Sequence, residues 1–406
     1  MPIRGTFART RSVCALLATG GMLLLANGAM GQQQTPPQLG PPGDAFYIPP
    51  SPLPAGVAGD VIWYRPTRLY LDPAHLFPFN AKAWQVLYLS TSLSQQPIAV
   101  SGTIIVSNLP HSGARPLLTY AVGTHGMGDQ CAPSKGLAAG TDFEGPFLKV
   151  AVDKGWAVAV TDYVGLGTPG THPYVVREVA GRAVLDIARA GSRIPGSGAS
   201  ATALVGIMGY SEGGNAAAAA AEIAPSYAAE LQIVGAAAGG VPADLARVAQ
   251  NLDGGPFFGY LAFAALGLDA VYPELQLASY LNDTGRAVFA QANADCNAER
   301  YAFLSLEDLT TTNPLDTQAW PRRIEENHLG REAPAVPMHL YHSVLDEIIP
   351  FDVGWNLRSD YCKLGVVVNF VALLGSDHVT GAVLGAPIAL NWLTDRFMGR
   401  TPPNDC

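Results

Sequence analysis

Residues 209–214 read GYSEGG and place Ser211 between two glycines, one two positions before it and one two positions after it. The apolar run 203–208 precedes this string, and a helix-forming run, 215–222, follows it. Such a string also arises by chance, so the residues around it must decide whether Ser211 has a chemical role. A serine on a tight strand-to-helix turn needs small residues at these two positions, because larger ones would clash with the strained backbone. We therefore predict that Ser211 is a nucleophile.

A serine that attacks a carbonyl needs N–H donors for the charge that develops on the substrate oxygen. The helix after Ser211 directs its N-terminal amides toward that charge, so we predict the Glu212 amide as one donor. We expect the other donor in the glycine-rich loop 120–131, where the backbone can approach a substrate closely. Thr124 and His125 are the candidates, and a plain glycine-rich turn is the alternative for either one.

The serine also needs a general base and an acid that orients the base, and on this kind of turn the chain order is Ser, Asp or Glu, His. His378 is the one histidine after the last apolar run, so it is predicted as the base. Asp346 directly follows the preceding run and is predicted as the acid. The alternatives are Glu347 and Asp352, which lie further from the strand end, and Asp377, which would point away from the adjacent histidine.

The other histidines show no spacing typical of metal ligands, and we interpret most of them as surface or packing residues: His75, His111, His125, His172, His328, His339 and His342. The chemistry predicted for Ser211 requires no cofactor and no metal. We therefore expect neither.

These side chains must be positioned by an alternation of strands and helices. A predicted hairpin within residues 84–107 comes first, followed by apolar runs typical of strands buried on both faces of a sheet: 117–122, 156–160, 204–208, 231–235, 338–344 and 366–374. Between the runs lie helical patterns, the clearest over 176–187. The alternation predicts an α/β fold with a mostly parallel central sheet, helices on both faces and antiparallel strands at the leading edge.

The interval between the run that ends at Met208 and the run that begins at Met338 is about twice as long as two strand–helix units of roughly 30 residues each would require. Its excess, residues 241–335, is helical in pattern and is predicted to be an inserted cap. The core then consists of residues 57–240 and 336–406. We expect part of the aromatic run 256–263 to line an acyl site, with Phe258 either in that lining or in the core of the cap.

The first residues have the pattern of a secretory signal peptide, with three arginines before a short apolar stretch and then small residues. We place cleavage after Gly31, with a cut after Ala29 as the alternative, so residues 1–31 would be removed. The stretch is too short for a membrane anchor. Residues 32–56 are rich in Pro and Gln, a composition that does not order itself, and are predicted to be a tether or an extended arm.

The number of cysteines and the net charge limit the compartments and the partners that suit the protein. Cys14 would leave with the signal peptide, and the four remaining cysteines favour two disulfides with three possible connectivities in an exported chain. The net charge of -9 and the lack of a basic run beyond the first residues argue against a nucleic-acid partner. No later apolar segment is long enough to span a bilayer, so we expect no permanent membrane span.

Taken together, these motifs resemble the secretory lipase family of fungi and bacteria. The resemblance covers most of the mature chain and depends on the 123–134 loop, the 161–167 strand end, the elbow at Ser211, the segment 345–350 and the late His378. It implies an α/β-hydrolase fold with a helical lid between Ser211 and Asp346. It also implies two disulfides, Cys131 with Cys296 and Cys362 with Cys406.

The sequence therefore predicts a secreted or periplasmic serine hydrolase of carboxylic esters, first of all a triacylglycerol lipase acting through an acyl-enzyme. Its partner would be a lipid or ester substrate, with transient contact to lipid interfaces. An esterase of short or aromatic esters is the first alternative. A non-catalytic binding protein that kept the hydrolase fold is the remoter one.

Overall fold

The computed structural model describes residue 8 and residues 36–406. Apart from residue 8, the predicted signal peptide lies outside the described residues, as does the start of the arm, 32–35. The strands of the described part are β1 (Gln38–Leu39), β2 (Val61–Thr67), β3 (Ala81–Thr91), β4 (Pro97–Ser107), β5 (Leu117–Ala121), β6 (Ala157–Thr161), β7 (Leu204–Tyr210), β8 (Gln232–Gly239), β9 (Met338–Ser343) and β10 (Val368–Leu373).

These strands form one sheet in the order β1-β2-β3-β4-β6-β5-β7-β8-β9-β10. The leading edge is antiparallel from β2 through β4 to β6, and β3 and β4 form the predicted hairpin with Thr91 opposite Pro97. From β6 to β10 all pairs are parallel. Because the carboxyl ends of parallel strands meet at one edge, the loops after β5, β7, β9 and β10 gather there.

The α-helices of the described residues are α1 (Pro133–Ala139), α2 (Gly145–Asp153), α3 (Arg177–Gly191), α4 (Glu212–Tyr227), α5 (Leu245–Leu252), α6 (Phe258–Val271), α7 (Leu277–Tyr280), α8 (Asp283–Ala292), α9 (Leu306–Leu309), α10 (Ala319–Glu326), α11 (Phe351–Lys363) and α12 (His378–Phe397). In the part of the chain described here, no helix combines the length and the apolarity needed to cross a membrane.

The helix that follows Ser211 is built to lie close to its neighbours. The six alanines 216–221 of α4 are all buried, and α4 packs against α3, β7 and β8. On α3, a Cβ at Gly181 would lie 2.9 Å from the Ala220 nitrogen, so the two helices approach at backbone distance. Small residues therefore fix the position of the helix whose first turn follows Ser211.

The stretch between β8 and β9 carries six α-helices, α5 to α10, in place of further strands. We call residues 241–335 the cap segment and keep these bounds as a proposal. It is bonded to the core near the middle of its length, since Cys131 and Cys296 form a disulfide. A second disulfide joins Cys362 and Cys406. Both pairings are those that the family resemblance implies.

Over residues 36–56 the chain is an extended arm laid on the domain, not a free tether. Its strand β1 pairs with β2, and Phe46 and Tyr47 are buried. The Trp63 Nε1–H donates to the Phe46 carbonyl over 2.9 Å. The surface of the domain therefore supplies pairing and apolar contacts for this segment.

Candidate active site

Ser211 stands on a strained turn between β7 and α4, with φ 60° and ψ -120°. The glycines on either side of it are required by contact distances. A Cβ at Gly209 would lie 2.1 Å from the Gly213 oxygen, and a Cβ at Gly213 would lie 2.0 Å from the Ala121 oxygen. Any side chain at either position would push the turn away from the end of β5. The local geometry is that of a nucleophile elbow.

A continuous chain of contacts leads from the serine to a buried carboxylate. His378 Nε2 lies 2.9 Å from Ser211 Oγ, and His378 Nδ1 lies 2.7 Å from Asp346 Oδ2. The other oxygen, Asp346 Oδ1, accepts the Ile348 and Ile349 amides at 3.1 and 2.7 Å. The carboxylate requires a hydrogen on Nδ1, which leaves Nε2 free to accept the serine proton.

The three rival acids have other partners. Glu347 Oε2 accepts the backbone N–H of His378 over 3.0 Å and so supports the histidine from behind. Asp377 Oδ1 accepts the Thr380 amide at the N-terminus of α12. Asp352 is half-exposed and pairs with Arg247. The structure brings Ser211, His378 and Asp346 together and none of the rivals to the imidazole ring.

The loop after β5 lies against the elbow, since a Cβ at Gly123 would be 3.3 Å from the Tyr210 oxygen. The Gly123 amide is committed to the Glu144 carboxylate, so the following amides, those of Thr124 and His125, are the candidate donors on this side. Thr124 Oγ1 lies 2.7 Å from the Tyr174 hydroxyl.

The candidate oxyanion residue His125 connects the loop to the segment between α1 and α2. Its Nδ1 lies 2.8 Å from the Gly123 carbonyl oxygen and its Nε2 lies 3.1 Å from Asp142 Oδ2. Burial lowers the pKa of His125, but the Asp142 and Glu144 carboxylates outweigh it and raise the pKa to about 9. At neutral pH the ring is therefore an imidazolium that donates to both acceptors.

Glu212 follows the nucleophile, and its amide is at the N-terminus of α4. Its side chain is buried, and Glu212 Oε1 lies 2.7 Å from His172 Nε2. His172 Nδ1 lies 2.9 Å from the Val164 carbonyl oxygen. This pair connects the elbow to the loop after β6. The spacing of His172 in the sequence does not indicate this contact, because its partner is 40 residues away.

An apolar cavity opens at Ser211 and extends into the cap segment. It is lined by Tyr174, Val175, Ser211, Pro242, Leu245, Val248, Ala249, Leu252, Tyr260, Leu261, Ala264, Ala265, Leu268, Leu277, Leu306, Pro314, Leu315, Trp320, Ile324, Ile348 and Ile349. From the predicted aromatic run, Tyr260 and Leu261 belong to this lining. Phe258 does not, and it is fully buried in the core of the cap segment.

The arrangement can transfer a proton from a serine hydroxyl to an imidazole next to an apolar chamber. Backbone amides hold the Asp346 carboxylate of this site, and mainly aliphatic side chains line the cavity. Among the described residues, no cluster of three or more His, Cys, Asp or Glu side chains is arranged to hold a metal.

Known proteins are similar to this chain in both sequence and fold. The family model for secretory lipases matches residues 132–405. Lipase A of Arthroderma benhamiae is 32% identical over 90% of this chain and 81% of its own length. A Mycobacterium tuberculosis relative, described as a probable inactive lipase, is 31% identical over 89% of this chain and 83% of its own.

The crystal structure of Candida antarctica lipase A in its closed state superposes with a TM-score of 0.79, at 25% identity over 89% of this chain and 87% of that one. This likeness confirms the predicted α/β-hydrolase fold. The extent of the family match also confirms the resemblance drawn from the motifs. The chain belongs to the secretory lipase family and is an ester hydrolase.

Proposed function

We propose that the protein is a triacylglycerol lipase that uses Ser211, His378 and Asp346 as a catalytic triad. The observation that carries the proposal is the unbroken run of hydrogen-bond distances from Ser211 Oγ through the imidazole to a carboxylate held by two amides. Such a run activates a serine and stabilises the imidazolium that forms.

In the first half-reaction His378 Nε2 takes the serine proton as Ser211 Oγ bonds to the acyl carbon. The tetrahedral oxyanion is bound by the Glu212 amide and by the amide of Thr124 or His125. Its collapse expels the alcohol, which receives the proton from His378 and leaves an acyl-enzyme. In the second half-reaction water gives a proton to His378 and attacks the same carbon, and the acid leaves as Ser211 regains its proton.

The cavity favours a long acyl chain over a short one. Its lining beyond Ser211 is almost wholly aliphatic and aromatic, and each methylene that enters it contributes about 0.8 kcal/mol. A short acyl chain would contact only a small part of that lining. Activity against a panel of esters from acetate to long-chain triacylglycerol distinguishes the two, and a maximum at acetate contradicts the lipase assignment.

Transient contact with a lipid surface is supported by the outer face of α12. Val379, Val383 and Leu384 are 66, 55 and 50% exposed, and Leu374 in the preceding loop is 81% exposed. From residue 378 to 394 the sequence has no charged side chain. A surface helix normally presents polar residues to water, so this face suits an uncharged apolar partner next to the triad histidine.

Export from the cell is part of the proposal. The pattern of residues 1–31 predicts a signal peptide, and two disulfides favour an oxidising compartment, extracellular or periplasmic.

The decisive experiment uses a fluorophosphonate probe, which bonds to an activated serine. We expect stoichiometric labelling at Ser211 in the wild type, and at least about a 10⁴-fold loss of ester turnover in Ser211→Ala with an unchanged melting temperature. An unlabelled, inert wild type would favour a binding protein, in line with the relative described as inactive.

A further inference from the structure

A buried carboxylate lies beneath the loop after β5, and none of the steps above uses it. Glu144 is 3% exposed. Its Oε2 accepts the Gly123 amide over 2.9 Å, and its Oε1 accepts the Tyr120 hydroxyl over 2.9 Å. Both donors belong to the end of β5 and the loop that follows it, so this carboxylate holds the start of the loop.

The same loop is held at a second point. His125 Nδ1 lies 2.8 Å from the Gly123 carbonyl oxygen, while His125 Nε2 lies 3.1 Å from Asp142 Oδ2. Asp142 Oδ1 in turn accepts the Glu144 amide over 2.9 Å. Gly123 therefore has both its N–H and its C=O bonded, and the contacts close a ring through Glu144, Asp142 and His125.

Gly123 is also where the loop meets the nucleophile elbow, because a Cβ there would lie 3.3 Å from the Tyr210 oxygen. The residue before Ser211 thus lies against the one whose amide Glu144 holds. A small rotation at Gly123 would turn the next two amides, those of Thr124 and His125, relative to Ser211 Oγ. Oxyanion donors act only when they are aimed at the developing charge.

We infer that Glu144 is a positioning residue of the oxyanion hole, which holds the Gly123 peptide so that the following amide faces the oxyanion formed at Ser211. This inference rests on the proposed function of Ser211. It adds a second carboxylate to the site, which acts through the loop as Asp346 acts through the histidine.

The inference has a pH dependence. A carboxylate can accept both donors, whereas the neutral acid has an O–H in place of one acceptor. Burial raises the pKa of Glu144 to about 7, against the lowering effect of the His125 imidazolium. The titratable groups that face Glu144 are Tyr120, His125, Asp142, Tyr163 and Tyr341. As the pH falls below about 7, the carboxylate is protonated and its hold on the loop weakens.

Two substitutions separate positioning from mere stability. Glu144→Gln keeps an acceptor for the Gly123 amide but does not titrate, whereas Glu144→Leu removes the acceptor. The control is Glu222→Gln in the second half of α4, because buried Glu222 also accepts one amide, from Gly330 at 2.7 Å, and one tyrosine hydroxyl, from Tyr361 at 2.8 Å. It differs in that its other oxygen pairs with Arg177 at 2.9 Å. Each variant is assayed with a soluble short-chain ester between pH 5 and 9.

We expect Glu144→Leu to lower kcat about 10- to 100-fold with little change in KM. Glu144→Gln mimics the neutral acid, so it should lower kcat by about fivefold at pH 8. Between pH 8 and 6, kcat of the wild type and of Glu222→Gln should fall by about fivefold more than kcat of Glu144→Gln, and the three should converge below about pH 6.

A Glu144→Gln enzyme with the wild-type kcat at every pH from 5 to 9 would overturn the inference, even if the Leu variant does not fold. So would a folded Glu144→Leu enzyme with normal kcat. Failure of the proposed function itself is distinct, since the wild type would then neither react with fluorophosphonate nor turn over the ester.

Discussion

The two sides of the cavity at Ser211 are held by different forces. On the core side, Ser211, His378, Asp346 and the loop at Gly123 are each fixed by directional hydrogen bonds of 2.7 to 3.1 Å. On the side of the cap segment the lining is aliphatic and aromatic, from Leu245 to Ile324, and depends on packing. Hydrogen bonds fix atoms to a fraction of an ångström, whereas apolar packing tolerates exchanges of similar volume. In the proposed function, the core side therefore sets the reaction and the cap side sets the substrate.

The largest effect should come from a single hydrogen bond on the core side. Asp346→Asn preserves shape but presents an N–H or a neutral oxygen to the imidazole, so we expect kcat to fall by about 10³- to 10⁴-fold. Asp352→Asn is the control, because Asp352 pairs only with the half-exposed Arg247, and its kcat should stay within about twofold. Steady-state kinetics of both variants tests this. A larger loss of kcat in Asp352→Asn than in Asp346→Asn would show that Asp346 is not the acid of the triad.

An intermediate effect should come from filling the cap side. Ala265 lines the cavity, so Ala265→Trp should shorten it and exclude about three methylenes, roughly 2.4 kcal/mol or about a 50-fold loss of kcat/KM for long-chain esters. Acetate esters should be hardly affected.

Ala270→Trp makes the same change on an exposed position of α6 outside this cavity and serves as its control. Equal losses for acetate and long-chain esters in Ala265→Trp would contradict the division of roles between the two sides. Phe258→Asp is a different probe, because Phe258 lies in the core of the cap segment, and it should lower the melting temperature and all activities alike.

The smallest effect is expected outside the cavity, on α12. Replacing Val383 and Leu384 by Gln should reduce adsorption to a triacylglycerol emulsion, and turnover there, by about fivefold, because part of an apolar contact is lost. Turnover of a soluble short-chain ester should not change. The matched control is the exposed pair Leu76 and Phe77, each also changed to Gln. If both double variants adsorb equally well, the α12 face has no role at lipid surfaces.

The core side was also the predictable side. Strands buried on both faces give continuous apolar runs, and the chain order of serine, acid and base follows from the loops that gather at one sheet edge. Those two rules located β5 to β10 and singled out Ser211, Asp346 and His378, which the structure brings to hydrogen-bonding distance.

The rest depends on pairings that no local pattern encodes. Glu144 meets Gly123 across 21 residues, and His172 meets Glu212 across 40. In the cap segment, Leu261 faces the cavity while Phe258 is buried three positions earlier, because helix packing rather than residue type decides which side chain turns inward. The burial of Phe46 likewise comes from the surface that the arm meets.

The disulfide between Cys131 and Cys296 also bears on when the parts of the site become available during synthesis of the chain. Met127 donates its amide to the Asp295 carbonyl beside this link, so the loop that follows β5 is completed by residues synthesised 165 positions later. His378 and the second disulfide, which joins Cys362 to Cys406, are synthesised later still. A nascent chain therefore cannot assemble the site around Ser211 before residue 378 has been made.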